Sequence, residues 1–142
     1  MEKLQRRALR IVFNDYDSSY QELLLKAKTS SLYVSRIKSI VIESYKCLKK
    51  TNPEFLHDFM KINNTGYNLR DPLKIQLPKT TTINHGKNTF IFEASKIWNG
   101  LPIFIKEKMD LDKPDEFMSE IKNWAGPTCI CGSCILCRIN LM

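Results

Sequence analysis

The sequence is poor in the residues from which most enzyme sites are built. It has five glycines and two histidines in 142 residues. The glycines make neither a phosphate-cradling loop nor a Gly-x-Ser-x-Gly elbow around a serine nucleophile. His57 and His85 are not at metal-ligand spacing from each other, and His57, beside Asp58 in a helical stretch, reads as a surface residue. No two aspartates are adjacent, so the clustered carboxylates of two-metal polymerase chemistry are missing. Asp15 and Asp17 come near one another only in a polar turn with no third partner. The expectation is a chain that does not catalyse by its own residues, with no small-molecule substrate evident.

Long apolar runs are lacking too. None approaches the roughly 18 residues of a membrane-spanning helix. Met1-Glu2-Lys3-Leu4-Gln5-Arg6-Arg7 has no apolar core of a secretory signal. An intracellular protein without membrane attachment is expected. In that reducing setting, cysteines serve as free thiols or metal ligands rather than staples.

Positive charge, by contrast, is abundant. Lys plus Arg number 22 against 15 for Asp plus Glu, a net charge of +7. Such an excess favours polyanionic partners, because each cation placed on a phosphate releases counterions.

The apolar spacing is mostly helical, so the expected fold is mainly α: a small helical domain with a long irregular loop and a Cys-rich tail. Leu4, Ala8, Ile11 and Val12 share one face of a first helix, and Lys3, Arg6, Arg7 and Arg10 form a separate stripe, which is either a solvated face or, with the apolar face docked on the domain, a surface laid along a phosphate backbone. Ser19 with Glu22 forms a capping box for a short helix burying Tyr20, Leu23, Leu24 and Ala27. Ser30 or Ser31 caps a longer helix whose inner face is Tyr33, Ile37, Ile40, Val41, Ser44 and Leu48. Lys38, Lys46, Lys49 and Lys50 lie off that face as a second basic surface. Asn52-Pro53 opens another short helix carrying Phe55, Leu56, Phe59 and Met60.

Residues 61–88 break every helical period, with a candidate short strand at Leu73-Lys74-Ile75-Gln76-Leu77. This basic loop carries Lys61, Arg70, Lys74, Lys79 and Lys87 against one acid, Asp71, with Tyr67 and His85 interleaved. Cations beside flat rings suit nucleic acid, and an ordinary long connection is the alternative reading of the segment. A helix resumes at Asn88 or Thr89 with Phe90, Ala94, Ile97 and Trp98 inward, and Gly100 ends it while Pro102 prevents a restart. Asp112 caps a last helix bearing Phe117, Met118, Ile121 and Trp124, broken by Gly126-Pro127. The segments are thus 1–60, helical; 61–88, the basic loop; 89–125, helices packing on the first; and 126–142, the tail. Candidate nucleic-acid contacts are Lys3, Arg6, Arg7, Arg10, Arg70, Lys74, Lys79 and Lys87.

The tail holds Cys129, Cys131, Cys134 and Cys137 within nine residues. Four thiolates suit structural zinc, though its usual ligands form two pairs separated by a dozen or more residues. Cys131, Cys134 and Cys137 also match part of a ferredoxin-type loop without its following Cys-Pro, and Cu(I) suits soft ligands equally. Zinc, another metal and unliganded thiols all remain open.

Several pieces occur in a characteristic order: Leu4-Gln5-Arg6-Arg7-Ala8-Leu9-Arg10-Ile11, Tyr67-Asn68-Leu69-Arg70, Gly86-Lys87-Asn88-Thr89-Phe90, Lys96-Ile97-Trp98-Asn99-Gly100-Leu101-Pro102 with Ile105-Lys106, and Phe117 with Ile121-Lys122-Asn123-Trp124. This series resembles the C-terminal region of reverse transcriptases from non-LTR (LINE-type, jockey-like) retrotransposons, over residues 2–125. The resemblance implies thumb and post-thumb helices downstream of a polymerase palm, gripping a template–primer duplex and the element's RNA. It implies partners in RNA or DNA backbones and in the palm, and a nuclear setting. The family's Asp-Asp motif belongs to the palm, so a truncated, non-catalytic piece of an RNA-directed DNA polymerase is expected. Trp98 and Pro102 are expected to pack rather than bind. Many such elements carry a Cys-Cys-His-Cys zinc knuckle; the tail here has four cysteines and no histidine. The alternatives are a small zinc-binding structural protein and a transposon relic without function.

Overall fold

The computed structural model describes residues 2–63, 71–82, 86–87, 89–109, 114–124 and 126. Among these are six α-helices: α1 (Glu2–Phe13), α2 (Tyr20–Lys26), α3 (Leu32–Leu48), α4 (Phe90–Asn99), α5 (Ile103–Glu107) and α6 (Pro114–Asn123). A 3-10 turn, Glu54–Leu56, follows α3, and no sheet forms among the described residues. None of these helices is long and apolar enough to cross a membrane.

Helix α3 is the hub, with α4 and α6 packed along it and α1 against its beginning. Ile37, Val41, Tyr45 and Cys47 of α3 meet Ala94, Ile97 and Trp98 of α4, Ile105 of α5, and Phe117 and Ile121 of α6 in one core. The Tyr45 and Phe117 rings stack with centroids 4.2 Å apart. Tyr45 and Cys47 fall outside the single inner face expected from the sequence, because elements pack on α3 from two sides and widen its buried arc. Lys38, expected on a basic surface, instead donates from Nζ to the Lys122 carbonyl 2.7 Å away, at the C-terminal end of α6. That is where a helix favours a cation. Lys46 pairs with Glu43. Gly126 adopts φ +106°, and a Cβ there would meet Val34 Cγ2 at 3.2 Å.

The caps follow the local sequence. Ser19 and Glu22 form both halves of the capping box of α2, and Ser31 accepts from the Val34 N–H at the start of α3. Three helices end where a non-glycine residue turns left-handed: Asn14 (φ 48°), Lys28 (φ 50°) and Lys50 (φ 56°). At each, backbone bonds reach back to close the last turn, as in Asp15 N to Arg10 O (3.0 Å) and Thr51 N to Lys46 O (3.0 Å).

Five expectations are corrected, the first being that Phe90, expected inward on α4, is 46% exposed at the start of that helix. The apolar stripe of α1 does not dock: Leu4, Ile11 and Val12 are 69%, 62% and 74% exposed. The rotation of α1 is set instead by polar side chains. Glu2 Oε1 accepts from the Tyr33 N–H (2.8 Å) and Gln5 Oε1 from the Leu32 N–H (2.9 Å). These N–H groups belong to the first turn of α3, which offers them no carbonyl within the helix and where an acidic acceptor is favoured. The Tyr20 hydroxyl lies within hydrogen-bond reach of both side chains, its one proton shared between the Glu2 and Gln5 oxygens, and its pKa is raised by burial and then by the Glu2 carboxylate.

The helix expected after Asn52-Pro53 shrinks to the 3-10 turn, with Phe55 70% exposed and Met60 buried. Pro102 does not prevent a restart, because it serves as N-cap of α5, where its missing N–H costs nothing. The strand expected at residues 73–77 reduces to one antiparallel bridge, Ile62 with Ile75.

The reason for that last reduction lies in α4. Asn63 N donates to Lys74 O (2.8 Å) and Gln76 N to Lys61 O (2.9 Å), occupying one edge of the extended segment. At Ile75 the Asn99 side chain takes the place of another strand: its Oδ1 accepts from Ile75 N (2.8 Å) and its Nδ2 donates to Ile75 O (3.0 Å). Trp98, fully buried, donates from Nε1 to Leu73 O at 2.9 Å. Lys106, 1% exposed, reaches Asp71 Oδ2 at 2.5 Å and the Asn99 carbonyl at 3.3 Å. The Trp98-Asn99 pair and Lys106 are therefore a latch that holds residues 71–75 onto the helical body.

Candidate nucleic-acid interface

Lys3, Arg6, Arg7 and Arg10 recur along α1 at three- and four-residue intervals, so they fall on one side of the helix. They line a single groove of about 440 Å³ together with Tyr16. Lys3, Arg6 and Arg7 are exposed and Arg10 is half-buried, with its Nε buried and without a hydrogen-bond partner among the described residues. None of the four pairs with an acid among those residues. The nearest carboxylates in sequence are engaged elsewhere: Glu2 caps α3 and Asp15 binds Lys26 and Ser18.

The groove is electrostatically unfavourable to the free protein. Lys3–Arg6, Lys3–Arg7, Arg6–Arg10 and Arg7–Arg10 are all like-charged neighbours on the helix surface. At about 0.2–0.5 kcal/mol each, they oppose α1 by roughly 1–2 kcal/mol in total. An anion seated between them removes that repulsion.

Tyr16 comes from the turn that ends α1. Asn14 in the left-handed region reverses the chain, and Asp15 N bonds back to Arg10 O at 3.0 Å. The Asp15 carboxylate then accepts from the Ser18 N–H (3.0 Å), the Ser18 hydroxyl (2.7 Å) and the Lys26 ammonium. Lys26 first and Ser18 next hold its pKa well below the usual carboxylate range. Tyr16 thus sits in a turn anchored at Asp15 and Ser18 while its own side chain stays 59% exposed. Sequence reasoning placed Tyr16 in the helix-ending turn only. The available signal was a ring three residues beyond Phe13, where a reversed chain returns toward the stripe it has just left.

The described loop cations Lys61, Lys74, Lys79 and Lys87 do not line this groove. Lys74 and Lys87 are exposed, and Lys79 lines a separate cavity with Lys61, Asp58, Phe59, Gln76 and Pro78. Lys61 there is paired with Asp58 at 3.5 Å. Arg70, Tyr67 and His85 lie outside the described residues, as do Asp112 and the four tail cysteines Cys129, Cys131, Cys134 and Cys137. Among the described residues no three His, Cys, Asp or Glu side chains come together to hold a metal. His57 has Nε2 at 2.5 Å from the Asn52 carbonyl.

No family model, curated protein or solved structure matches this chain.

Proposed function

We propose that this chain is a nucleic-acid-binding segment that grips the phosphate backbone through α1, of the kind found in the C-terminal region of a non-LTR retrotransposon reverse transcriptase. The observation that carries the binding reading is the groove of Lys3, Arg6, Arg7 and Arg10, four cations without an acidic partner among the described residues. Exposed Lys74, Lys79 and Lys87 extend the reading as peripheral contacts. The polymerase origin rests on the ordered sequence motifs, and with it the nucleus as compartment. In this reading the chain positions a strand, and bond formation belongs to residues it does not carry.

The test is the salt dependence of binding. Four phosphate contacts give a slope of log affinity against log salt of about −2.8 for a single strand and −3.6 for duplex DNA. Between about 50 and 200 mM salt, affinity should therefore fall roughly 50- to 150-fold. The double variant Arg6→Gln/Arg7→Gln should bind more weakly and lower the slope by nearly two contacts, whereas Lys122→Gln on α6 should leave it unchanged. Absence of binding at low salt, or an affinity indifferent to salt, would overturn the proposal.

A further inference from the structure

The groove contains one feature that phosphate binding alone does not use. Tyr16 lines it beside the four cations, 59% exposed, on a turn pinned at Asp15 by Ser18 and Lys26. A phosphate gains little from an aromatic face, but a nucleobase does. In a duplex both base faces are covered by neighbours, whereas an unpaired strand offers them to any ring at hand. From Lys3 to Arg10 the helix rises about 10 Å. That matches roughly three nucleotides of a strand stacked at about 3.4 Å. A phosphate run of that length laid along the stripe ends at the C-terminal end of α1, where the turn places Tyr16.

We infer that the groove is built for an unpaired strand, with the Tyr16 ring as a stacking platform for one base and Lys3, Arg6, Arg7 and Arg10 holding the adjoining phosphates. This rests on the proposed nucleic-acid reading and adds the strand type and the residue that selects it. The backbone that carries the platform is ordered before binding, because the turn is anchored at Asp15 and Ser18 on either side of Tyr16. The contact is indifferent to sequence, since every base has a flat face.

The experiment compares fluorescence anisotropy titrations of a labelled oligo-dT single strand, an abasic strand of equal length, and a duplex of equal length. The proteins are the full chain, Tyr16→Phe, Tyr16→Leu and Arg6→Gln/Arg7→Gln. Because the Tyr16 side chain is mostly exposed, both tyrosine variants should keep the wild-type urea midpoint. Tyr16→Leu should weaken oligo-dT binding about 5- to 150-fold, the worth of one stacked base. It should leave the abasic strand and the duplex unmoved, and Tyr16→Phe should bind like wild type. If Tyr16→Leu weakens all three ligands equally, or none, while Arg6→Gln/Arg7→Gln still weakens them, the stacking inference falls and the phosphate groove stands. If the full chain binds none of them at low salt, both fall together.

Discussion

Replacing Asn99 by alanine tests whether the Trp98-Asn99 pair holds the 71–75 segment. Asn99 makes two hydrogen bonds to Ile75, at 2.8 and 3.0 Å, and Ile75 is 2% exposed. Alanine leaves one N–H and one C=O without partners. Each such loss costs about 1–3 kcal/mol when the group stays dry. Asn99 itself is half-buried, so water reaches the site from one side and the lower part of the range applies twice. The expected destabilisation is about 2–3 kcal/mol, a large fraction of the 5–15 kcal/mol typical of a small domain. Urea unfolding followed by circular dichroism reads the global loss. Limited trypsinolysis reads the local one, as faster cleavage after Lys74 and Lys79. Lys74→Ala, which removes an exposed side chain from the same segment, should stay within about 0.5 kcal/mol of wild type. An Asn99→Ala protein as stable as Lys74→Ala, with an unchanged tryptic pattern, would refute the latch.

Two further outcomes follow from the turns. Lys50 holds φ 56° at the end of α3, a conformation that costs an L-residue about 1–2 kcal/mol and glycine almost nothing. After the entropy glycine adds to the unfolded chain, Lys50→Gly should gain about 0.5–1 kcal/mol and raise Tm by a few degrees, and Lys50→Val should lower it. Acid should loosen the Asn14–Tyr20 corner first. Lys26 and then Ser18 depress the Asp15 pKa from its ordinary 3.8, and the Ser19 N–H and hydroxyl depress that of Glu22 from 4.5. Groups with lowered folded pKa stabilise above their ordinary values, and that stability is lost as pH falls through them. Amide protection factors in α2, which are exchange rates corrected for the intrinsic pH dependence, should therefore fall between about pH 5 and pH 2, with a shallower dependence in Asp15→Asn. An exchange profile identical in the two proteins would show that Asp15 contributes nothing to the corner.

The parts of the fold legible in the sequence are those decided within one helical turn. Ser19 with Glu22, and Ser31 before Val34, announce helix starts because donor and acceptor lie three residues apart. The core positions Ile37, Val41, Ala94, Ile97, Trp98, Phe117 and Ile121 follow from helical spacing. What stayed hidden is decided across the chain. The rotation of α1 is fixed by Glu2 and Gln5 reaching backbone donors at Leu32 and Tyr33. Hydrophobic spacing says nothing about those bonds, so the apolar stripe was assigned inward. Lys106 gave no local sign of burial either. Its partner Asp71 lies 35 residues away. A clue was present: Asp71 is the one acid in a loop of five cations, and an isolated acid in such a setting is a candidate internal counter-charge.

The same distinction separates the cations that hold the fold from those that make no ion pair among the described residues. Among the described residues, lysines make the ion pairs Lys26–Asp15, Lys46–Glu43, Lys61–Asp58, Lys106–Asp71 and Lys108–Glu120. The arginines of α1 make none. Arginine is the better partner for a carboxylate in a fixed geometry, because its planar fork binds two oxygens at once. Were the charges of α1 there to stabilise the fold, acids would be expected opposite Arg6, Arg7 and Arg10. Instead the closest acid on the same helix, Glu2, is turned to the backbone of α3. The fork geometry that matches a carboxylate matches a phosphate equally well. A helix whose arginines lack an acidic partner among the described residues, with Lys3 set among them and an exposed tyrosine in the turn that ends it, is what supports the proposed strand-binding reading.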